Sequence, residues 1–233
     1  INFTTNSTRM LVMKKYPALW INKTFVTPHS FDRSLYPEYQ LTKKNSDSFL
    51  INYLGNFYGP RNPRNFVKAL LKIHNEDKDL LSNVVFRFVG KWIGNENWKS
   101  IISELPKDLI ETHPPISYRD SLKEMAKSDL LLILDAPFNS SVFFPSKLVD
   151  YIGSGRPIFA ITPKGSCFDI LKQVGGIQAS PQRVDSIKDG IIEAVTKLKR
   201  GELLPPSIKK SERYSNSFIA KEFELLFRIV LND

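Results

Sequence analysis

Pro145, Ser146 and Lys147 stand together, and Asp150 follows three residues after the lysine. These residue types at this spacing suit a phosphorylated nucleotide. Proline fixes the dihedral that a helix start needs and lacks an N–H that would be unpartnered there. The remaining free N–H groups and the positive end of the helix dipole favour an anion. Ser146 adds a hydroxyl and Lys147 a full positive charge. One turn down, on the same face, the Asp150 carboxylate can accept hydrogen bonds from ribose hydroxyls. A diphosphate at the helix start with a ribose beyond it would use all of these groups. The plainer alternative is an exposed lysine–aspartate pair on a packing helix, worth about 0.3 kcal/mol.

The helix presenting these groups is expected to take Pro145 as its first residue and to end at Gly153-Ser154-Gly155, where glycine permits a left-handed cap. Pro157 then opens an apolar strand. These glycines end a helix and precede a strand, so they are not a dinucleotide-binding fingerprint, which has the opposite order. Apolar runs predict strands over 49–54, 84–89, 109–112, 130–134 and 157–161. LLLIL and PIFAI are apolar throughout, as in strands covered on both faces. Between them, Phe66, Leu70 and Ile73 share one helical face, as do Tyr118, Leu122 and Met125. Longer stripes run from Val184 to Leu198 and from Ile219 to Val230. Ser117 with Asp120 reads as a capping box. Strand alternating with helix predicts an α/β fold, a Rossmann-like doubly wound parallel sheet. Ligands of such sheets lie beyond the carboxyl ends of the strands. The loops starting at Gly55, Gly90, Pro114, Asp135 and Thr162 would converge there.

The chain has 233 residues, 42% of them hydrophobic, enough to bury a sizeable core. Its net charge of +9 is spread without a block of like sign, which favours anionic partners in general. Nucleic acid is not expected among them, because no aromatic-basic motif recurs. Cys167 is the only cysteine, which excludes internal disulfides, fits a reducing compartment and reads as a small buried residue. His29, His74 and His113 lack metal-ligand spacing, so no metal is expected, and His29 reads as part of a turn. Trp92 and Trp98 flank GNEN and read as packing ahead of base contact; Tyr151 is expected to pack with its hydroxyl in water. No apolar run approaches the ~20 residues that span a bilayer. Residues 1–48 read as the remnant of a preceding domain followed by a polar hinge linker, with a short helix over 8–16 and a short strand over 24–27. With no methionine at position 1, the chain reads as a piece of something longer.

PSKLVDYIGSGRPIFAI resembles a block of the GT-B-fold retaining glycosyltransferases: Pro-Ser-Lys-Leu-x-Glu-Tyr, a small glycine turn, then proline and an apolar strand. NYLGNFYGPRNPRNFVKAL resembles that family's first strand, phosphate loop and helix. FTTNSTRMLVMKKYP and FVTPHSFD resemble the end of its N-terminal domain and the hinge. The resemblance covers nearly the whole chain. It implies the C-terminal half of a GT-B fold, with 49–233 as the nucleotide-sugar donor-binding domain, UDP as the first choice of nucleotide, and no cofactor. Asp150 stands where a glutamate holds the donor ribose, and Ser146 and Lys147 where the diphosphate binds. Arg61, or in second place Arg64, matches the cation after the first strand. Ile116 falls in the nucleobase loop, and Gly55 and Ser141 in the loops after the first and fourth strands. Lys147 and Arg61 are then the catalytic pair, stabilising the charge that builds on the leaving diphosphate. Two departures stand out: Val142 occupies the place of a second glutamate eight positions before Asp150, and NSSVFFP lacks that loop's glycines. The implied function is sugar transfer in cell-surface polysaccharide or glycoconjugate synthesis, on the cytoplasmic side and at the inner face of an anionic membrane. The acceptor domain lies elsewhere, so this piece alone is expected to be inactive. A sugar-nucleotide epimerase and a non-catalytic nucleotide-binding module are the alternatives.

Overall fold

A computed structural model describes residues 1–36, 48–94 and 99–232. Six strands form one parallel sheet: β1 (Phe49–Leu54), β2 (Val84–Val89), β3 (Ile110–His113), β4 (Leu130–Leu134), β5 (Ile158–Ile161) and β6 (Ile177–Ala179). The longer helices are α1 (Asn6–Met13), α2 (Arg64–Glu76), α3 (Tyr118–Lys127), α4 (Ser146–Ser154), α5 (Ser166–Val174), α6 (Val184–Lys199) and α7 (Asn216–Asn232). The strand order is β6-β5-β4-β1-β2-β3. The chain therefore winds outward from β1 to β3, returns beside β1 as β4, and winds the other way. Such a sheet has its topological switch point between β1 and β4.

Five of the strands fall where the apolar runs predict them, with small shifts at the ends. The third spans Ile110–His113, and the fifth begins at Ile158 because Pro157 has no N–H for the ladder. The sixth, IQA, is three residues long between a glycine pair and Ser180-Pro181, too short to show any periodicity. In β4, Leu130, Leu132 and Leu134 pack on one face while Leu131 and Ile133 pack on the other, all of them buried. This is why the run is apolar without alternation. Phe66, Leu70 and Ile73 of α2 and Ile187, Ile191 and Val195 of α6 cover the first face. Helices α3, α4 and α5 cover the second through Leu122, Met125, Leu148, Ile152 and Leu171.

The first residues pack against this body. Asn2–Phe3 pairs in parallel with Phe25–Val26. Helix α1 starts two residues before the expected position and is capped by Thr5, whose hydroxyl accepts from the Thr8 N–H at 3.0 Å. Phe31 is buried with the α3–α5 layer. Its backbone bridges the C-terminal segment: its N–H donates to Tyr214 and its carbonyl accepts from the Asn216 N–H, at 2.9 and 2.8 Å. Most of the polar linker lies outside the described residues. Among the described residues, no helix is long and apolar enough to cross a membrane.

Candidate functional site

Helix α4 begins at Ser146, with Pro145 one place outside it as the N-cap (φ −62°, ψ 130°). The proline was expected inside the helix. Its extended ψ breaks the helical dihedrals, and it gives no side-chain cap, so the first N–H groups of α4 have no intrahelical partner. The other end is as the sequence predicts: Gly155 is left-handed (φ 67°, ψ 17°). Tyr151 departs from expectation. It is fully buried, and its hydroxyl accepts the Leu54 N–H at 3.0 Å instead of reaching water. The β1–β4 pairing stops at Asn52–Leu131, and beyond it Tyr151 fastens α4 to the end of β1.

The start of α4 lines a cleft of about 390 Å³ together with Tyr58, Arg61, Asp135 and Ser141, and with Phe138 and Phe143 at its walls. The cleft lies at the carboxyl ends of β1 and β4, beside the switch point. Ser141 is placed there by a two-residue parallel pairing of Ser140–Ser141 with Lys164–Gly165. The next carbonyl, that of Val142, accepts from the hydroxyls of Thr5, Thr8 and Ser166 at 3.3, 3.1 and 2.9 Å. The loop after β4 is thus held by α1 and α5 together.

Lys147 is half-buried as a residue, but its amine is enclosed, 4.0 Å above the centre of the Tyr53 ring. A Cβ on Gly55 would collide with that amine, and the Gly55 backbone has φ 155°. The positive φ favours glycine here, and a side chain would also push the lysine amine from its place. Burial, and after it the positive charge of Arg61, brings the Lys147 pKa down to about 7, against the opposing pull of Asp135. Arg61 pairs with Asp135 at 3.1 Å, and their side chains are only 19% and 10% exposed. Its Nη1 donates to the Tyr58 hydroxyl at 3.0 Å, and its Nε is buried without a partner among the described residues. The other Asp135 oxygen accepts from the Thr162 hydroxyl at 2.7 Å.

Asp150 lies outside this cleft, one turn along α4, and receives two tyrosine hydroxyls on the same oxygen. Tyr118, at the start of α3, donates to Oδ1 at 2.8 Å, and Tyr36, from the segment before β1, at 3.3 Å. Burial raises the carboxyl pKa, outweighing the lowering by both hydroxyls and by His29. The Tyr118 hydroxyl is pushed up to about 12, by burial first and then by Asp150. Ile116 is exposed in the loop before α3, two residues from the tyrosine that reaches Asp150.

The structure therefore groups Arg61, Ser141, Ser146 and Lys147 around one cleft, with Gly55 directly behind the lysine. Asp150 and the Ile116 loop form an adjoining polar patch. Arg64 is separate: it is exposed at the start of α2 and lines a smaller pocket of about 170 Å³ on the other side of Asp135. Trp92 stacks on Phe57 at 4.4 Å and serves packing, whereas Trp98 lies outside the described residues. Cys167 is buried, and His29 sits 5.3 Å from the Phe144 ring. Asp135, Thr162, Tyr58, Tyr118 and Tyr36 are not among the site residues expected from the sequence, although Asp135 and Thr162 open two of the loops expected to converge there. The available signal was an acid directly after a fully apolar strand; Tyr118 and Tyr36 gave none, since their partner Asp150 lies 32 and 114 positions away. No group of three or more histidine, cysteine, aspartate or glutamate side chains among the described residues could hold a metal ion.

No family model matches the sequence, and no curated protein matches it. Solved structures do. Anabaena HepE in complex with UDP and glucose superposes with a TM-score of 0.75 at 14% identity, over 97% of this chain and 62% of that one. The pneumococcal O-GlcNAc transferase GtfA in complex with UDP and GlcNAc gives 0.71 at 18% identity, over 100% and 45%. Sucrose-phosphate synthase from Thermosynechococcus elongatus gives 0.69 at 14%, over 99% and 58%. The chain spans less than two thirds of each of these proteins. In fold, the chain is similar to a Rossmann-like α/β part of these structures, over nearly its whole length.

Proposed function

We propose that this chain is the donor-binding half of a glycosyltransferase that moves a sugar from a nucleoside-diphosphate sugar to an acceptor. The observation that supports it best is the meeting of Arg61, Lys147 and the uncapped start of α4 in one cleft at the switch point. Free helix N–H groups and two cations suit a diphosphate. As the sugar leaves, negative charge grows on the diphosphate, and Arg61, Lys147 and the helix dipole stabilise it without a metal. Ser146 and Ser141 orient the phosphates, and Asp150 takes the ribose. Ile116 and its loop face the base, with Arg64 at the periphery. UDP is the preferred nucleotide, since two of the similar structures hold it. The epimerase alternative is less well supported: the cleft is lined by one carboxylate and no histidine.

Residues 1–48 would be the end of a preceding domain and its hinge, and 49–233 the donor domain. Exposed apolar residues on the first segment, Met10, Leu11, Leu19 and Trp20, and on α7, Phe227 to Leu231, support a missing acceptor domain that covers them. The net charge of +9 supports work at an anionic membrane on the cytoplasmic side, in polysaccharide synthesis. Failure to bind anionic vesicles would remove that last step.

Thermal unfolding with UDP, GDP and ADP tests the donor site. A diphosphate at 100 times its dissociation constant should stabilise the fold by roughly 2.7 kcal/mol, and Lys147→Ala or Asp150→Ala should abolish the gain. Stabilisation by none of the three, or an undiminished shift in both variants, refutes the site.

A further inference from the structure

Asp135 is the one carboxylate among the residues lining the cleft. It directly follows β4, next to the switch point, and it is held from three sides. Oδ1 pairs with Arg61 at 3.1 Å, Oδ2 accepts from Thr162 at 2.7 Å, and its N–H donates to the Ile161 carbonyl at 2.9 Å. At 10% side-chain exposure its charge is weakly screened by water. Without it, the Arg61 guanidinium would keep only the Tyr58 hydroxyl, because its Nε has no partner among the described residues. We propose that Asp135 is a positioning residue of the anion site: its carboxylate pins the Arg61 guanidinium at the cleft wall and supplies the negative charge of the cleft that also holds the enclosed Lys147 amine. This rests on the reading of the cleft as a diphosphate site and adds the group that sets the charge of that site.

Few groups face the Lys147 amine. Arg61, from the β1–α2 loop, repels its proton. Asp135 draws it on, the Cys167 thiol of α5 stays protonated because burial raises its pKa, and the Tyr53 ring of β1 lies beneath. The balance is close to neutrality, with the Lys147 pKa near 7. Removing the Asp135 charge would leave the amine uncharged at neutral pH, and a diphosphate would have to bring the proton back.

Two readouts test this. In the first, urea unfolding of the chain and of Asp135→Asn, each beside its Lys147→Met counterpart, follows the lysine titration from about pH 6 to about pH 10 without ligand. The pH at which each pair of stabilities begins to converge should fall by about one unit in Asp135→Asn and stay in place in Asp135→Glu. In the second, UDP affinity over the same range should be flat below that break, then weaken by up to about tenfold per pH unit. This break should shift by the same amount. An unmoved ligand-free break, or an affinity loss equal at every pH, overturns the proposal, because a carboxylate with only a structural role would behave so. A shifted ligand-free break with no UDP binding at any pH would sink the diphosphate reading and leave the Asp135–Lys147 coupling standing. Should Asp135→Asn not fold, Asp135→Ser removes the same charge and should move the break down by the same amount.

Discussion

Burial of the Lys147 amine between the Tyr53 ring and the Gly55 backbone makes its charge conditional, which a lysine read from sequence alone does not convey. The consequence for stability has a definite sign. Below about pH 7 the amine is protonated in both states, and the native state bears the full cost of a buried charge. Between about 7 and about 10.5 the native amine has lost its proton while the unfolded one keeps it, so this contribution rises with pH. Lys147→Met removes the dependence. It should be more stable than the parent chain by about 2–4 kcal/mol at pH 6, with the gap closing toward pH 10, as read by urea unfolding. A gap that does not change with pH would show that the amine is hydrated. Ser146, Lys147 and Asp150 were legible in sequence because their types and local spacing are chemical signals, whereas Arg61 came only with the resemblance to a known family. Asp135, Thr162 and the two tyrosines on Asp150 were not, because each acts on a partner between 27 and 114 positions away.

At the scale of the element, α4 shows how far local rules reach. Its stop at Gly155 follows from the glycine's free choice of positive φ. Its start differs by one residue because Pro145 prefers extended ψ to the first helical turn. Gly153 has a reason no local rule supplies. A Cβ there would lie 2.7 Å from Phe31 Cγ and 2.8 Å from Tyr36 Cζ, so glycine lets the segment before β1 cross close over the helix. By helix propensity alone, Gly153→Ala should stabilise by about 1 kcal/mol. We expect the opposite, a loss of about 1–3 kcal/mol from overpacking, together with weakened holding of Asp150 by Tyr36. A raised melting temperature in this variant would show that the crossing segment yields freely.

In the whole molecule, the charged pairs joining α2 to α6, Lys72–Asp185 and Lys188–Glu76, lie at the surface, where water and salt screen them. The apolar faces beneath them hold those helices to the sheet. Phe31 plays the larger part in cohesion, since it is buried against α3–α5 and its backbone joins the first segment to the last. Phe31→Ala should cost about 3–5 kcal/mol in urea unfolding. It should also loosen residues 212–219, seen as faster amide exchange there. Stability near that of the parent chain would mean that residues 1–36 lie on the domain without bracing it.

Alternation of apolar runs with helical stripes determined the fold class, because an element must bury its apolar face whatever its neighbours are. The order of helix stop and strand start around Gly155 likewise excluded a dinucleotide turn. Tertiary structure alone decided the strand order and therefore which loops meet. It placed Arg61 in the cleft and Arg64 outside it, three residues on, and it brought a carboxylate to the same cleft, paired with Arg61. The physical reason is that charge and hydrogen bonding depend on distance through space. Sequence spacing reports that distance only within a helix or strand, and the groups of this cleft come from β1, β4, β5 and α4.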